Sequence, residues 1–557
     1  MCGIFCLLSY DKNNEETLLN KFELFKEQIS RRGPNSLNTD FCELNNCNIL
    51  FGSSVLWLQG TDITTQPYKN DNSVFVYNGD VFGGSQIGRQ LENSGAGDTR
   101  LFFEALENSE DILETLGGIE GPYAFVYLNR TQNRLYIGRD VFGRRSLLIG
   151  RNQNELVISS VAKRGTQFEF KEVPSIGIFF IDLDTKTWKI FPWRRKNKNF
   201  TEKLQEFELF ISQTVLTQSV TFDQNKIFIP PSETQLKLLT EILNLPAGDL
   251  FNFLFNSPFM KNILQLKELL KNSIKRRILT QPKFCQNCFK KYDCDHAITG
   301  ILFSGGVDCA VLALLASTII DPLRPIDLIN VAFERGGSYD TPDRITGFNT
   351  LTELQNLCPN RKWNFVQVNV TRDELDQCRR ARISDLIYPL NSILDDSLGC
   401  ALWFASRGVT PDYTSPCRTL LVGMGADELF GGYTRHRAAF QKNSWEGLNE
   451  ILDEDWQNLP YRNLARDDRM ASDHGRQLRT PYLDEEVVTF IRNLDTWDKT
   501  FPSMKLQGFG EKILLRSLAY HLGLTNAAVL KKRALQFGSR IANSKDKGHE
   551  ISHNLVT

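Results

Sequence analysis

The chain has 557 residues, more than one core usually organises, so at least two domains are expected. Its 65 Lys and Arg balance 66 Asp and Glu, which argues against a nucleic-acid or membrane-surface role driven by bulk charge. No apolar run approaches the ~20 residues of a membrane span. The N-terminus carries no secretion-signal pattern, and twelve cysteines without one read as reduced thiols, so a cytoplasmic location is expected.

The chain opens Met1-Cys2-Gly3-Ile4-Phe5-Cys6. Removal of Met1 would expose a cysteine whose α-amine sits beside its thiol, a nucleophile carrying its own base. Residues 1 to about 195 are dense in strand-like runs: Val74–Tyr77, Tyr123–Leu128, Arg134–Gly138 and Ile176–Ile181. Two helical stretches, Glu15–Ser30 and Asp98–Glu107, are interspersed. Asn78-Gly79 on its own reads as a hairpin turn. The charge run Arg194-Arg195-Lys196-Asn197-Lys198 reads as a solvated connection.

Residues 200–260 show no clear pattern, and helical spacing returns over Ile263–Leu279. Cys285, Cys288, Cys294 and His296 then fall within twelve residues, a set of thiolate and imidazole ligands suited to Zn²⁺. Ordinary reduced loop cysteines are the other reading. From Ile298 onward, apolar runs (Ile298–Phe303, Leu328–Phe333, Phe365–Val370, Leu420–Gly423) alternate with helix-like segments, the signature of a parallel sheet.

Two Gly-rich loops follow strands of this half. Ser304-Gly305-Gly306-Val307-Asp308 lies between a buried strand and a buried helix, where backbone N–H groups and the helix N-terminus suit a phosphate. Asp308 beside phosphate implies a bridging Mg²⁺. The second loop, Gly423-Met424-Gly425-Ala426-Asp427-Glu428, offers Asp427 as a further carboxylate for that ion. Gly510–Arg516 is read as placing Lys512 and Arg516 on one helix face, either solvated or facing departing pyrophosphate.

These loops, with Leu478-Arg479-Thr480-Pro481-Tyr482-Leu483-Asp484 and Glu511-Lys512, stand in the order found in glutamine-dependent asparagine synthetases, and the chain resembles that family over residues 1–190 and about 295–545. The resemblance implies an α+β N-terminal-nucleophile (αββα) glutamine amidotransferase domain at 1–190. It implies a connection at 191–290 and, at 291–545, an α/β parallel-sheet domain like the adenine-nucleotide alpha hydrolases. It also implies residue roles. Cys2 is the nucleophile, Asn78 and Gly79 form the oxyanion hole, and Asp98 holds the amino group of glutamine. Phe303, Ser304, Gly305, Gly306, Asp308, Val331 and Gly423 bind ATP, Asp308 and Asp427 hold Mg²⁺, and Lys512 is catalytic.

The implied reaction is ATP-dependent amidation of aspartate by glutamine, giving asparagine, glutamate, AMP and pyrophosphate. Two positions depart from the family: Met424 stands where a glutamate handles incoming ammonia, and Leu56 where an arginine clamps the glutamine carboxylate. They leave open amidation of another carboxylate, use of free ammonia, or a non-catalytic nucleotide-binding protein. The expected partners are small molecules (glutamine, aspartate or another acid, ATP), with no nucleic acid and no membrane.

Overall fold

Side chains alternate between two cores along the first strand, and this sets the layering of the N-terminal half. The computed structural model describes residues 2–84, 97–195, 197–221, 228–242, 245–288, 294–502, 510–542 and 547–556, so Met1 lies outside the described residues. In β1 (Gly3–Ser9), Ile4, Cys6 and Leu8 enter one apolar cluster while Phe5 and Leu7 enter another. That is the period of two expected of a strand covered on both faces.

β1 lies in a six-stranded sheet with β2 (Ser36–Glu43), β3 (Asn48–Val55), β8 (Leu148–Arg151), β9 (Glu155–Ser159) and β10 (Glu169–Glu172), in the order β10-β8-β9-β1-β3-β2. A second sheet runs β13-β12-β11-β7-β6-β5-β4, from β4 (Tyr68–Lys69), β5 (Ser73–Gly79), β6 (Tyr123–Asn129), β7 (Arg134–Arg139), β11 (Gly177–Asp182), β12 (Thr187–Pro192) and β13 (Val215–Thr217). In β6, Ala124, Val126 and Leu128 face the core between the sheets. Tyr123, Phe125 and Tyr127 face outward onto Phe102 and Phe103 of the helix Asp98–Glu107. Helix Glu15–Arg32 covers the outer face of the other sheet through Leu18, Phe22, Phe25 and Ile29. The result is the αββα sandwich.

The charge run after β12 is solvated only in part: Arg194 and Lys198 are exposed and Lys196 lies outside the described residues, but the run is anchored. The Arg195 guanidinium lies 4.6 Å from the Trp456 ring centroid, Asn197 donates to Tyr461 at 2.7 Å, and Lys198 pairs with Asp453 at 2.7 Å. The segment is docked along helix Thr434–Arg462, and its chain returns through β13 to extend the second sheet.

The C-terminal half holds five parallel strands: β14 (Thr299–Leu302), β15 (Ile326–Phe333), β16 (Trp363–Val370), β17 (Thr419–Leu421) and β18 (Gln477–Arg479), in the order β16-β15-β14-β17-β18. The strand order reverses between β14 and β17, which opens a crevice at their carboxyl ends. Helix Val307–Ser317 is apolar on every side and nearly all buried, as a helix enclosed between sheet and outer helices must be. None of the described helices is long and apolar enough to cross a membrane.

Candidate active sites

A cavity of about 810 Å³ occupies that crevice. Phe303, Ser304, Gly306, Asp308, Val331, Gly423, Met424 and Asp427 all line it. Gly305 does not; it turns away at φ +80°, where an added Cβ would meet the Thr346 backbone at 2.5 Å. Its carbonyl accepts from Thr350 at 2.7 Å, which pins the loop to the neighbouring helix. The loop therefore leads into helix Val307–Ser317 with that helix's N-terminus beside the cavity.

The two loop carboxylates meet on one ammonium. Lys512 Nζ is 2.8 Å from both Asp308 oxygens and 2.6 Å from Asp427 Oδ1, and Lys532 Nζ is 2.6 Å from Asp427 Oδ2. Burial alone would raise the Asp427 carboxyl, but Lys512 and Lys532 hold it well below the usual carboxylate range. Buried Asp427 Oδ1 meets Lys512 as an ion pair, without a well-aligned hydrogen bond among the described residues, and the two convergent carboxylates suit a divalent cation. Gly432 permits this approach: a Cβ there would lie 1.9 Å from Asp427 Oδ1 and 2.3 Å from Lys512 Cε.

Lys512 is not on a helix face as expected. It adopts φ +58° and caps helix Ile513–His521, which drops its side chain between the aspartates. Arg516 is neither solvated nor turned to a ligand; it is buried and donates to the carbonyls of Glu511 and Ala528. Beside Asp427, burial and the Asp427 charge raise the Glu428 carboxyl, which accepts from Tyr433 Oη at 2.5 Å. Lys532 was given no role from the sequence; it sits in a basic tripeptide indistinguishable from a solvated face.

The second site lies where β1, β3 and β5 end. Cys2 N donates to Asn78 Oδ1 at 3.1 Å, leaving the buried Asn78 Nδ2 with no hydrogen-bond partner among the described residues. Gln66 Nε2 approaches Cys2 Sγ at 3.6 Å, and its Oε1 accepts from Tyr77 N at 2.7 Å. No local pattern in the sequence points to Gln66; its reach to the thiol is set by tertiary folding. Burial raises the Cys2 thiol, opposed in part by a hydrogen bond from the Leu56 backbone. Asp98 Oδ2 accepts from Tyr77 Oη and Val81 N, both at 3.3 Å. Burial, reinforced by the Asp80 charge, pushes the Asp98 carboxyl up to about 7.

The cavity against Cys2 measures about 30 Å³ and is lined by Leu56, Trp57, Gly79 and Asp98 among others, with no arginine or lysine among its described lining. That volume suits a water molecule rather than an amino acid. The leucine at position 56 is thus uncompensated at the described wall.

An ionic chain joins the two halves. Arg32 pairs with Asp468 at 2.8 Å, Asp468 with Arg145 at 3.2 Å, Arg145 with Asp80 at 3.0 Å, and Asp80 with Arg479 at 2.9 Å. All five side chains are buried. Asp80 lines the Cys2 cavity together with Gln477 of β18. Arg145 and Asp468 line a small void with Met424, which also lines the large cavity. Apart from both sites, Cys285, Cys288, Cys294 and His296 bring their ligand atoms within 4.8 Å of one another.

Comparison with known proteins agrees with this division. The glutamine amidotransferase domain family matches residues 1–171, and the asparagine synthase family matches 296–446 and 439–555. An asparagine synthetase domain-containing protein of Drosophila melanogaster is 37% identical over 100% of both chains. Asparagine synthetase domain-containing protein 1 of Mus musculus is 36% identical over 99% of this chain and 98% of its own. A related domain-containing protein of Saccharomyces cerevisiae is 29% identical over 100% of this chain and 99% of its own.

Proposed function

The chain belongs to the asparagine synthetase-like glutamine amidotransferase family, and from that premise we propose that it couples ATP cleavage to amidation of a carboxylate, with glutamine as the nitrogen source. The observation that carries this reading is the meeting of Asp308 and Asp427, from separate strand ends, on Lys512 beside an 810 Å³ cavity. Phe303, Val331 and Gly423 border the nucleoside. Ser304, the backbone of Gly305 and Gly306, and the following helix N-terminus hold the leaving pyrophosphate. Asp308 and Asp427 hold Mg²⁺, which supplies charge neutralisation on the triphosphate when bound.

The acceptor carboxylate attacks the α-phosphorus, the bond to pyrophosphate breaks, and an acyl-adenylate forms. Ammonia then displaces AMP. Lys512 provides the ammonium that offsets charge developing on the α-phosphate in both steps.

In the amino-terminal half, the Cys2 thiol adds to the glutamine amide carbon, and the Cys2 α-amine freed by loss of Met1 carries its proton to the leaving nitrogen. The orphaned Asn78 Nδ2 and the Gly79 N–H stabilise the oxyanion, each such donor contributing roughly 3 kcal/mol. Asp98, as the carboxylate, binds the glutamine ammonium. Ammonia leaves, and water releases glutamate from the thioester.

Aspartate is the first acceptor expected. A second reading, free ammonia or another acid, is favoured by Met424, whose thioether accepts no proton, and by the Leu56 wall of the small Cys2 cavity. Pyrophosphate release is measured with ATP, glutamine or ammonium, and a panel of carboxylic acids. Aspartate-dependent release is expected. Release with no acid, alongside intact nucleotide binding, would overturn the ligase reading.

A further inference from the structure

Three sulfurs surround one nitrogen in the loop between helix Phe259–Leu279 and β14. His296 Nδ1 lies 3.7 Å from Cys285 Sγ, 3.4 Å from Cys288 Sγ and 3.4 Å from Cys294 Sγ. Hydrogen bonding does not account for this. A ring nitrogen offers one donor or one acceptor, so it satisfies one thiol and leaves the others without reason to converge. The edges of a tetrahedral metal site do account for it: with Zn–S near 2.3 Å and Zn–N near 2.0–2.1 Å, the S···N edge is ~3.5 Å. All four ligand atoms lie within 4.8 Å of one another, room for one ion and too tight for a multi-iron cluster. The cysteines are free thiols, so none is diverted into a disulfide.

The surroundings supply a second observation. Arg418 is buried and donates to the carbonyls of Phe284 and Cys285, both at 3.3 Å, while its Nε has no hydrogen-bond partner among the described residues. Its guanidinium stacks over Phe284 at 5.0 Å. Some buried arginines of this protein face carboxylates, as Arg32, Arg145 and Arg479 do, and others donate only to carbonyls, as Arg516 does. Three thiolates and a neutral imidazole around a divalent ion would carry one net negative charge, which the adjacent Arg418 cation would offset.

We propose that Cys285, Cys288, Cys294 and His296 bind a single structural Zn²⁺, and that the loop it closes braces one wall of the Cys2 cavity. Four protein ligands leave no open position, so the ion is structural rather than catalytic. The brace runs through an apolar cluster of Trp57, Phe284, Cys285 and Cys294, with the Trp57 and Phe284 rings edge-on at 5.3 Å. Trp57 lines the Cys2 cavity, whereas Phe284 lies in the connection that leads to β14. Zinc would thus fasten that connection to the amino-terminal half, whatever chemistry Cys2 performs.

The test uses the full chain, purified without chelator. Metal analysis should find about one zinc per chain and no iron. The cobalt-substituted chain should show thiolate-to-metal charge transfer and tetrahedral visible bands. His296→Ala, at an exposed ligand, and Cys288→Ser, at a half-exposed one, should each lower zinc content at least about tenfold. Hydrogen exchange should rise in both variants over 55–60 and 284–288 and stay unchanged over 326–333. Wild-type protein that takes up no zinc or cobalt, or variants that keep full zinc, would overturn the site. Zinc lost without faster exchange at 55–60 would overturn the brace.

Discussion

Replacing Asp98 by asparagine should stabilise the protein more at pH 8 than at pH 5. Burial and the Asp80 charge raise the Asp98 carboxyl from 3.8 to about 7. A folded-state pKa above the unfolded one means the folded chain holds a proton that the unfolded chain releases. The contribution of Asp98 is therefore fully present below pH 3.8 and is lost as pH rises toward about 7. Each unit of that interval is worth ~1.4 kcal/mol, so about two units above pH 5 amount to ~3 kcal/mol. Asparagine keeps an acceptor for Tyr77 and Val81 and does not titrate. The difference in stability between Asp98→Asn and wild type should therefore widen by about 3 kcal/mol between pH 5 and pH 8. Other raised carboxyls, Asp343 at about 7 and Asp467 at about 6, are present in both proteins and cancel. Urea denaturation followed by tryptophan emission at the two pH values measures the gap. An equal gap at both would mean that Asp98 ionises as an ordinary surface aspartate, and the electrostatic picture of the pocket would fail. The same variant should lose glutamine turnover, since the ionised carboxylate is the form that binds the substrate ammonium.

Cys2→Ala should reduce glutamine-driven product to background while ammonia-driven product persists; equal loss of both, measured as pyrophosphate release, would contradict two separate sites. Asp427→Asn should weaken magnesium-nucleotide binding at least about tenfold, ~1.4 kcal/mol, by titration calorimetry; unchanged affinity would remove Asp427 from the metal site. Asp468→Ala strands Arg32 and half of Arg145 inside the protein, which should cost about 3–5 kcal/mol. Adding Arg32→Met should recover part of that loss in denaturation experiments, and no recovery would show that the pair is not coupled.

The elements legible in the sequence were those whose signal is local. β5, β6 and β7 were readable from apolar runs bounded by turn residues, and helix Asp98–Glu107 matches its expected limits. The convergence of Asp308 and Asp427 was inferable because both follow strands of one parallel sheet. What escaped the sequence depends on partners distant along the chain. Lys512 looked helical because its neighbours are good helix formers, yet the demand to reach two aspartates puts it at φ +58°. Arg195 sits in a run that reads as solvated, but Trp456, more than two hundred residues away, gives it an aromatic face. Lys532 and Gln66 acquire their roles from the same kind of remote contact. β13 is three residues long, too short for its pattern to stand out, and exists because the edge of β12 was available.

The buried arginine–aspartate ladder has a consequence for how this molecule can be divided. Each rung takes its cation and anion from different parts of the chain, and three of the four cross from one half to the other. One of these, Arg145 with Asp468, spans 323 residues. Cutting the polypeptide between the sandwich and the parallel sheet would leave stranded guanidiniums and carboxylates on both fragments, along with freshly bared apolar surface. Neither piece should behave as an independent protein, and grafting a foreign partner onto either would succeed only if the graft brought the matching ends of the ladder with it.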